Sequence, residues 1–434
     1  MTAVPRSVVV IVDPVRAGIK LAQLFNGLGH RCVAVLSEES DSEFWRASFR
    51  PQDFLFTLHE ADGFTALVDA LHGYEVSCLV PGGESGVDLA DRLTPYFPGV
   101  PALDPAMAHG RRDKYHMAEL LTARGIPAIP HCRTGDVETA LEWYRGRGED
   151  RVVVKPLAGT SAEGVHFCAS EDEVRAAFAE LTGTVSLFGR TNDELLVQRD
   201  ISRDGAVEFT VNSVSSRGRH HVTDVWRMRR RMVDSTAVCV YSELVHPDET
   251  DYGLLAGYLQ DVLSALGIDN GTAHSEIMLT PDGPVLIETG ARIEGACDPG
   301  AALTLCGRSQ NSLLPASYLD PQAFEHAITA PRPSPALYAR HVYLLSPVEG
   351  KVVHPPALDR IRALPTFHGM DTTLDSVAVL ERTVNLATCP GNLYLVSASP
   401  ERIEEDYAAL RAIEGELYAD MLADGEGHGA PWTS

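Results

Sequence analysis

Lysine is nearly missing from this 434-residue chain: Lys20, Lys114, Lys155 and Lys351 stand against 32 arginines. Where a compact ammonium survives in so arginine-biased a composition, it marks a place to look for phosphate or carboxylate contacts. Positive charge is scarce overall, with a formal net charge of −24. That balance disfavours nucleic acid or an anionic membrane as the main partner, though it leaves room for a local basic pocket. The eight cysteines are scattered without a CxxC pair, which argues against a zinc ribbon or disulfide framework and for reduced thiols in a cytoplasm. In MTAVPRSVVVIVDP the apolar run ends at Asp13, too soon for a signal-peptide core or membrane span. No GxGxxG follows the first strand-like run, no GxxxxGK[ST] is present, and no Ser/His/Asp triad stands out; dinucleotide binding, a Walker A loop and serine hydrolysis therefore lack support. What is there is ordinary for a globular protein, 44% hydrophobic and 22% charged residues, with length for about three domains.

The most informative stretch is AHSEIMLTPDGPVLIETGARIEG, residues 273–295. Two runs of strand composition flank Pro281-Asp282-Gly283. A three-residue loop with Gly283 in the left-handed place pairs Thr280 with Pro284, and counting back sets Glu276 opposite Glu288. A two-residue loop would move the carboxylates to opposite faces. Facing like charges cost about 0.2–1 kcal/mol unless a cation separates them, and Mg²⁺ favours one or two carboxylates plus phosphate oxygens. Arg292 adds a planar donor fork. A solvated hairpin edge with two unrelated acids remains the alternative.

Earlier, residues 1–100 alternate strand and helix patterns, Ser7–Val12, 15–28, 31–36 and 78–80, implying a parallel sheet covered on both faces. Glu84, in the turn PGGESG, follows a strand end where open α/β sheets place ligands. It is a candidate for a substrate ammonium, or a polar turn residue. In RRDKYHMAELLTARG, Asp113 caps a helix whose first turn carries Lys114, an unfavourable end for a cation unless it reaches an anion. RVVVKPLAGTSAEGV delivers Lys155 at the end of an apolar strand, followed by a Gly159–Gly164 loop (Thr160 and Ser161 included) whose small residues let backbone N–H groups approach phosphates. ELLVQRDISRDGAVEFTVNS reads as two strands about a polar loop, with Arg199 and Ile201 offering backbone groups to a flat heterocycle and Glu208 an acceptor for a ribose hydroxyl. An ordinary meander is the alternative, for Arg199 and Ile201 in particular. Arg227, Arg229, Arg230 and Arg231 form a basic cluster, either an anion clamp or a solvated face. Glu243 and His246, in SELVHP, are spaced like a substrate-contacting pair. APRPSP, 330–335, marks a boundary before a β-rich segment, a helix over 401–422 and a tail expected to be disordered.

In order and spacing these stretches resemble the ATP-grasp superfamily of carboxylate–amine ligases, and in particular the L-amino-acid ligases that make dipeptides. The resemblance implies an α/β (α+β) ATP-grasp architecture: a Rossmann-like pre-ATP-grasp sheet over 1–105, the ATP-grasp domain over 106–330, and a small β-rich domain over 331–434. It implies ATP with Mg²⁺, Mn²⁺ being a substitute, and amino acids or amines as small-molecule partners; a homodimer is compatible. Carried over, Lys114 and Lys155 contact phosphates beneath the Gly159–Gly164 loop, Gln198 to Ile201 line the adenine site, and Glu208 holds the ribose. Glu276 and Glu288 bind metal, Arg292 stabilises the transferring phosphoryl group, and Glu84, Glu243 and His246 meet substrate. The implied chemistry is carboxylate attack on the γ-phosphorus, then amine displacement of phosphate from the acyl phosphate.

Three positions depart from that pattern. Gln198 stands where many relatives have glutamate, Gly290 where the superfamily often has an asparagine metal ligand, and Glu294 in ARIEGA where ARxGG is commoner. The last adds negative charge near the acyl site. A biotin-carboxylase-like or D-alanine–D-alanine-ligase-like reaction, or a nucleotide- or amino-acid-sensing module, are the competing expectations.

Overall fold

The computed structural model describes residues 7–40, 43–159, 164–186, 188–203, 205–233, 236–295, 299–331, 337–385 and 388–422. Thr160 and Ser161, and the tail, lie outside them. The first sheet is built from β1 (Ser7–Val12), β2 (Cys32–Leu36), β3 (Thr57–His59) and β4 (Glu75–Pro81), all parallel in the order β3-β2-β1-β4. Its near-continuous Val/Ile/Leu runs suit strands covered on both faces. One face packs on Leu67, Leu71, Leu89 and Leu93, the other on Leu21, Ala22 and Phe25. The helix expected over 15–28 is broken into a 3-10 turn, Arg16–Lys20, and an α-helix, Leu21–Gly27. Arg16 begins that turn at φ 51, a left-handed value that interrupts regular helix.

A four-stranded sheet follows, ordered β5-β8-β6-β7, from β5 (His131–Thr134), β6 (Val152–Pro156), β7 (His166–Cys168) and β8 (Leu195–Arg199). Helices Val137–Arg147 and Glu171–Leu181 bury Leu141, Val174 and Phe178 against its apolar face. The largest sheet has eight strands in the order β13-β12-β9-β10-β11-β14-β18-β16. Its members are β9 (Val207–Ser216), β10 (Arg219–Val233), β11 (Thr236–Leu244), β12 (Gly271–Thr280), β13 (Gly283–Gly290), β14 (Tyr338–Tyr343), β16 (Phe367–Thr372) and β18 (Gly391–Ser397), while β15 (Gly350–Lys351) and β17 (Val379–Leu380) pair separately. Helix Thr250–Ala265 covers one face of it, setting Leu255, Leu259 and Val262 against Phe209, Val225 and Ile277. Helix Pro400–Met421 packs Leu410, Leu417 and Tyr418 against Val342 and Leu393 farther along.

Two sequence expectations change here. β8 and β9, read as two strands of one sheet about a polar loop, belong to different sheets, so the 200–206 segment is a crossing between layers. The hairpin loop is two residues long, since Thr280 pairs with Gly283 (φ 119) and Leu279 with Pro284. That register would separate the carboxylates, but a bulge at Ile287 lets Glu276 pair with Glu288 after Ile277 pairs with Leu286. One extra residue in a strand shifts everything beyond it by one place.

Candidate active site

Between the four-stranded and eight-stranded sheets lies a cavity of about 1030 Å³, closed at one end by the β4 turn. Asp113 caps helix Lys114–Ala123 by accepting from the N–H groups of Tyr115 and His116 (2.8 and 3.0 Å). This turns Lys114 toward the hairpin, where its Nζ lies 2.8 Å from Glu288 Oε2 and 3.4 Å from Gly159 O. Burial pushes the Lys114 ammonium down in pKa, but Glu288 more than offsets it and the net shift is upward. Lys155, only 5% exposed at the end of β6, is pushed down to about 8 by burial and by the charge of Lys114. Among the described residues it has no ion-pair partner.

The facing carboxylates are unequal. Burial raises both, and Glu276 is driven up further by Glu288 and Glu208. In Glu288 the opposite wins, because Lys114 and Lys155 hold it below the ordinary range. Glu208 also faces the cavity, but both its oxygens accept from Arg230, Nε at 2.6 Å and Nη2 closer still. Arg230 is the inward member of the basic cluster; Arg227 turns away to Glu249 and Asp251. Arg229 and Arg231 also border the cavity. His274 is pushed down to about 3 by burial and Arg292, so it is neutral.

Arg292 donates Nε to Glu84 Oε2 at 3.0 Å and Nη1 to Ile293 O at 3.0 Å. Glu84 is held from the other side by Arg112, 3.4 Å from its carboxylate. A side chain at Gly290 would start 2.7 Å from Glu84 Oε2. The Glu84 carboxylate, held by Arg292 and Arg112, thus lies where a side chain at 290 would first extend. Neither Arg112 nor Arg230 was singled out in the sequence for these pairings, which join residues 28 and 22 positions apart.

Gln198 is buried in β8 between β5 and β6, and with Arg199 and Ile201 it lines the cavity. Arg199 Nε also lies 3.2 Å from Glu149. Gly159 reaches the cavity, whereas Gly164 (φ 66) packs against Leu181 and Pro156. Glu243 and His246 do not line it. Glu243 pairs with Arg340 at 2.7 Å, and the His246 ring rests 4.9 Å from that of Tyr338. The expected substrate pair is corrected accordingly: β11 directs Glu243 toward its neighbour β14, where Arg340 takes its charge.

A family model described as an ATP-grasp domain matches residues 149–300. Two sheets from separate stretches close over a cavity that holds paired lysines and carboxylates, an arrangement similar to that of the ATP-grasp class. Within that class the chain resembles the carboxylate–amine ligases of the L-amino-acid ligase type. It is 26% identical to dapdiamide A synthase of Enterobacter agglomerans, over 96% of this chain and 98% of the relative. An L-amino acid ligase from Bacillus licheniformis superposes with a TM-score of 0.69 at 16% identity, covering 96% of this chain and 98% of that one. Phosphoribosylglycinamide synthetase from Anaerococcus prevotii gives 0.65 at 13%, over 93% and 97%. Among the described residues no helix is long and apolar enough to cross a membrane.

Proposed function

We propose that the protein is an ATP-dependent ligase that activates an amino-acid carboxylate as an acyl phosphate and passes the acyl group to the amine of a second amino acid, with ADP and phosphate as products. One observation carries this: Lys114, Lys155, Glu276, Glu288 and Arg292, from three separate stretches, meet in a single cavity. Positioned charge is what phosphoryl transfer asks of a protein. Lys114 and Lys155 would bind the phosphates, with Gly159 beside them. Gln198 and the backbone from Arg199 to Ile201 would hold adenine. Glu208, kept in place by Arg230, would meet the ribose through its remaining lone pairs.

Glu276 and Glu288 suit a divalent cation. The pair leaves two half-buried acids opposed, and among the described residues no group of three or more ligating side chains forms a cage. Two carboxylates completed by phosphate oxygens and water fit Mg²⁺, or Mn²⁺ in its place. Such an ion supplies neutralisation of phosphate charge. Arg292 would stabilise the phosphoryl oxygens by its two-pronged contact, and Glu84 would orient that guanidinium or take a substrate ammonium beside it.

Pairs of amino acids should release phosphate and ADP in step with an amide. AMP and pyrophosphate would overturn the proposal, because the lysines and carboxylates would then serve the α-phosphate.

A further inference from the structure

Residues 183–186 and 188–192 follow helix Glu171–Leu181 and fold back on themselves before β8, with Val185 bridged to Thr191. Backbone hydrogen bonds from Gly183 N–H to Asn192 O and from Ser186 N–H to Arg190 O, each 2.9 Å, join the two arms. This strap does not stay with the four-stranded sheet from which it rises. It reaches residues that follow β1 and β2, where the buried ring of Phe188 packs on Val15 and Trp45. The Phe188 and Trp45 rings stack with centroids 5.5 Å apart and planes 9° apart, and both Val15 and Trp45 line the cavity.

A ladder of alternating charge runs inward from the strap. Arg190 donates Nε to Glu39 Oε1 at 2.7 Å, and the second Glu39 oxygen accepts from Arg112 Nη2 at 2.8 Å. Arg112 Nη1 donates to the Glu84 carbonyl and lies 3.4 Å from Glu84 Oε1, which leaves Oε2 for Arg292 Nε. The buried Nε of Arg112 has no hydrogen-bond partner among the described residues. What lies over that guanidinium instead is the Phe188 ring, 4.7 Å from its carbon to the ring centre. A desolvated guanidinium is attracted to an aromatic face, so the ring holds the plane of Arg112. Arg190 is half-exposed and its ion pair contributes modestly; Phe188 is the main anchor.

Two guanidiniums compete for Glu84. A carboxylate left with one arginine favours the two-pronged contact. While Arg112 occupies Oε1, Arg292 is limited to Oε2, and its Nη donors are kept off that acid. With the strap lifted, Glu39 would lose Arg190 and turn both oxygens to Arg112, leaving Glu84 to Arg292 alone. We propose that Arg112 is a positioning residue for Arg292, and that the seating of Phe188 and Arg190 sets it. The proposal rests on the ligase reaction proposed above and adds a condition to it: Arg292 is aimed at phosphoryl oxygens only while the sheet that carries Lys155 is strapped down.

A double-mutant cycle reads this coupling. With the full chain, ATP, Mg²⁺ and hydroxylamine, hydroxamate formation would be followed over a panel of amino acids. R112Q should lower kcat by about tenfold and R190A or F188L by about threefold, yet each should cost less than about twofold once R292K is present. Equal fold losses in both backgrounds would overturn the proposal, since a general structural defect costs the same whatever stands at 292. R190A changes an exposed side chain, so the cycle can be read even where R112Q or F188L fails to fold. Should the parent form no hydroxamate with any amino acid, the ligase reaction fails by itself. Crystal structures then decide the ladder: in R112Q both Glu84 oxygens should accept from Arg292, and a single Nε contact kept as in the parent refutes it.

Discussion

Replacing Lys155 with methionine should make the protein more stable at neutral pH while weakening its hold on ATP. Methionine keeps the length of the side chain and suits an irregular apolar site. Lys155 is buried, with burial and Lys114 together lowering its pKa from 10.5 to about 8. At about 1.4 kcal/mol per pH unit, that gap is worth about 3 kcal/mol. The sign follows from proton counts. Below pH 8 both folded and unfolded forms hold the proton, and the folded form bears the full cost of a buried charge. Between about 8 and 10.5 the unfolded chain holds a proton that the folded one has released, so the parent gains stability as pH rises. Above 10.5 both are neutral and the cost is gone. K155M should therefore exceed the parent by up to about 3 kcal/mol in urea unfolding at pH 7, less at pH 9, and little at pH 10.5. ATP should reverse the ranking, because phosphate anions favour the charged lysine. Titrated at pH 9 in buffers of different ionisation enthalpy, ATP should draw about one proton onto the parent through this group and none through the variant. A K155M protein less stable than the parent at pH 7, or an advantage that does not change with pH, would refute the reasoning.

The two hairpin acids should part company. E288Q strands Lys114 without its 2.8 Å partner and should lose about 1–3 kcal/mol in stability along with turnover; E276Q at pH 8 should be more stable in the absence of metal, since the acid it removes is raised by burial and like charge, yet equally inactive. Thermal melts with and without Mg²⁺ separate these outcomes. R292K should depress hydroxamate formation by about tenfold or more, because an ammonium cannot span two oxygens as a guanidinium does; unchanged hydroxamate yield would remove Arg292 from the phosphoryl site. Deleting Ile287 removes the bulge but leaves Glu288 next after Leu286 and so still opposite Glu276, so Mg²⁺-dependent turnover should survive the deletion; an inactive but folded deletion would show that the bulge, not the opposition of the two acids, sets the site.

Much of this site could be seen in the sequence where a polar residue interrupts an apolar pattern. Lys155 closes a β-branched run, and Asp113 precedes a helix as a cap, so both lysines were legible from local chemistry. The opposition of Glu276 and Glu288 was reached through a three-residue loop, whereas the molecule uses a shorter loop and a compensating bulge. Ile287 has the composition of any regular strand residue, and alternation cannot reveal that it is extra. Adjacency misled at 194–213, because a strand's neighbours in sequence need not share its sheet. Glu243 and His246 were read from spacing alone, while Arg340, the partner that takes the charge of Glu243, lies 97 residues away. The coupling of Gly290 to Glu84 was invisible for the same reason: the space one vacates is filled by the other from a different sheet.

The eight-stranded sheet does not end where the proline-rich boundary falls. β11 hydrogen-bonds directly to β14, with Tyr241 opposite Val342 and Glu243 opposite Arg340, so the residues after 337 continue the layer that bears the carboxylate hairpin. For protein engineers this means that the C-terminal segment is not a cartridge to be exchanged among ligases at a linker. A cut at 330 would bare the edge of β11 at Tyr241, Ser242 and Glu243, and an unpaired strand edge recruits other chains. Such a fragment should appear in the void volume of a size-exclusion column instead of as a trimmed monomer. Chimaeras that keep β11 and β14 from one parent, and join elsewhere, would respect the seam along which this molecule is woven.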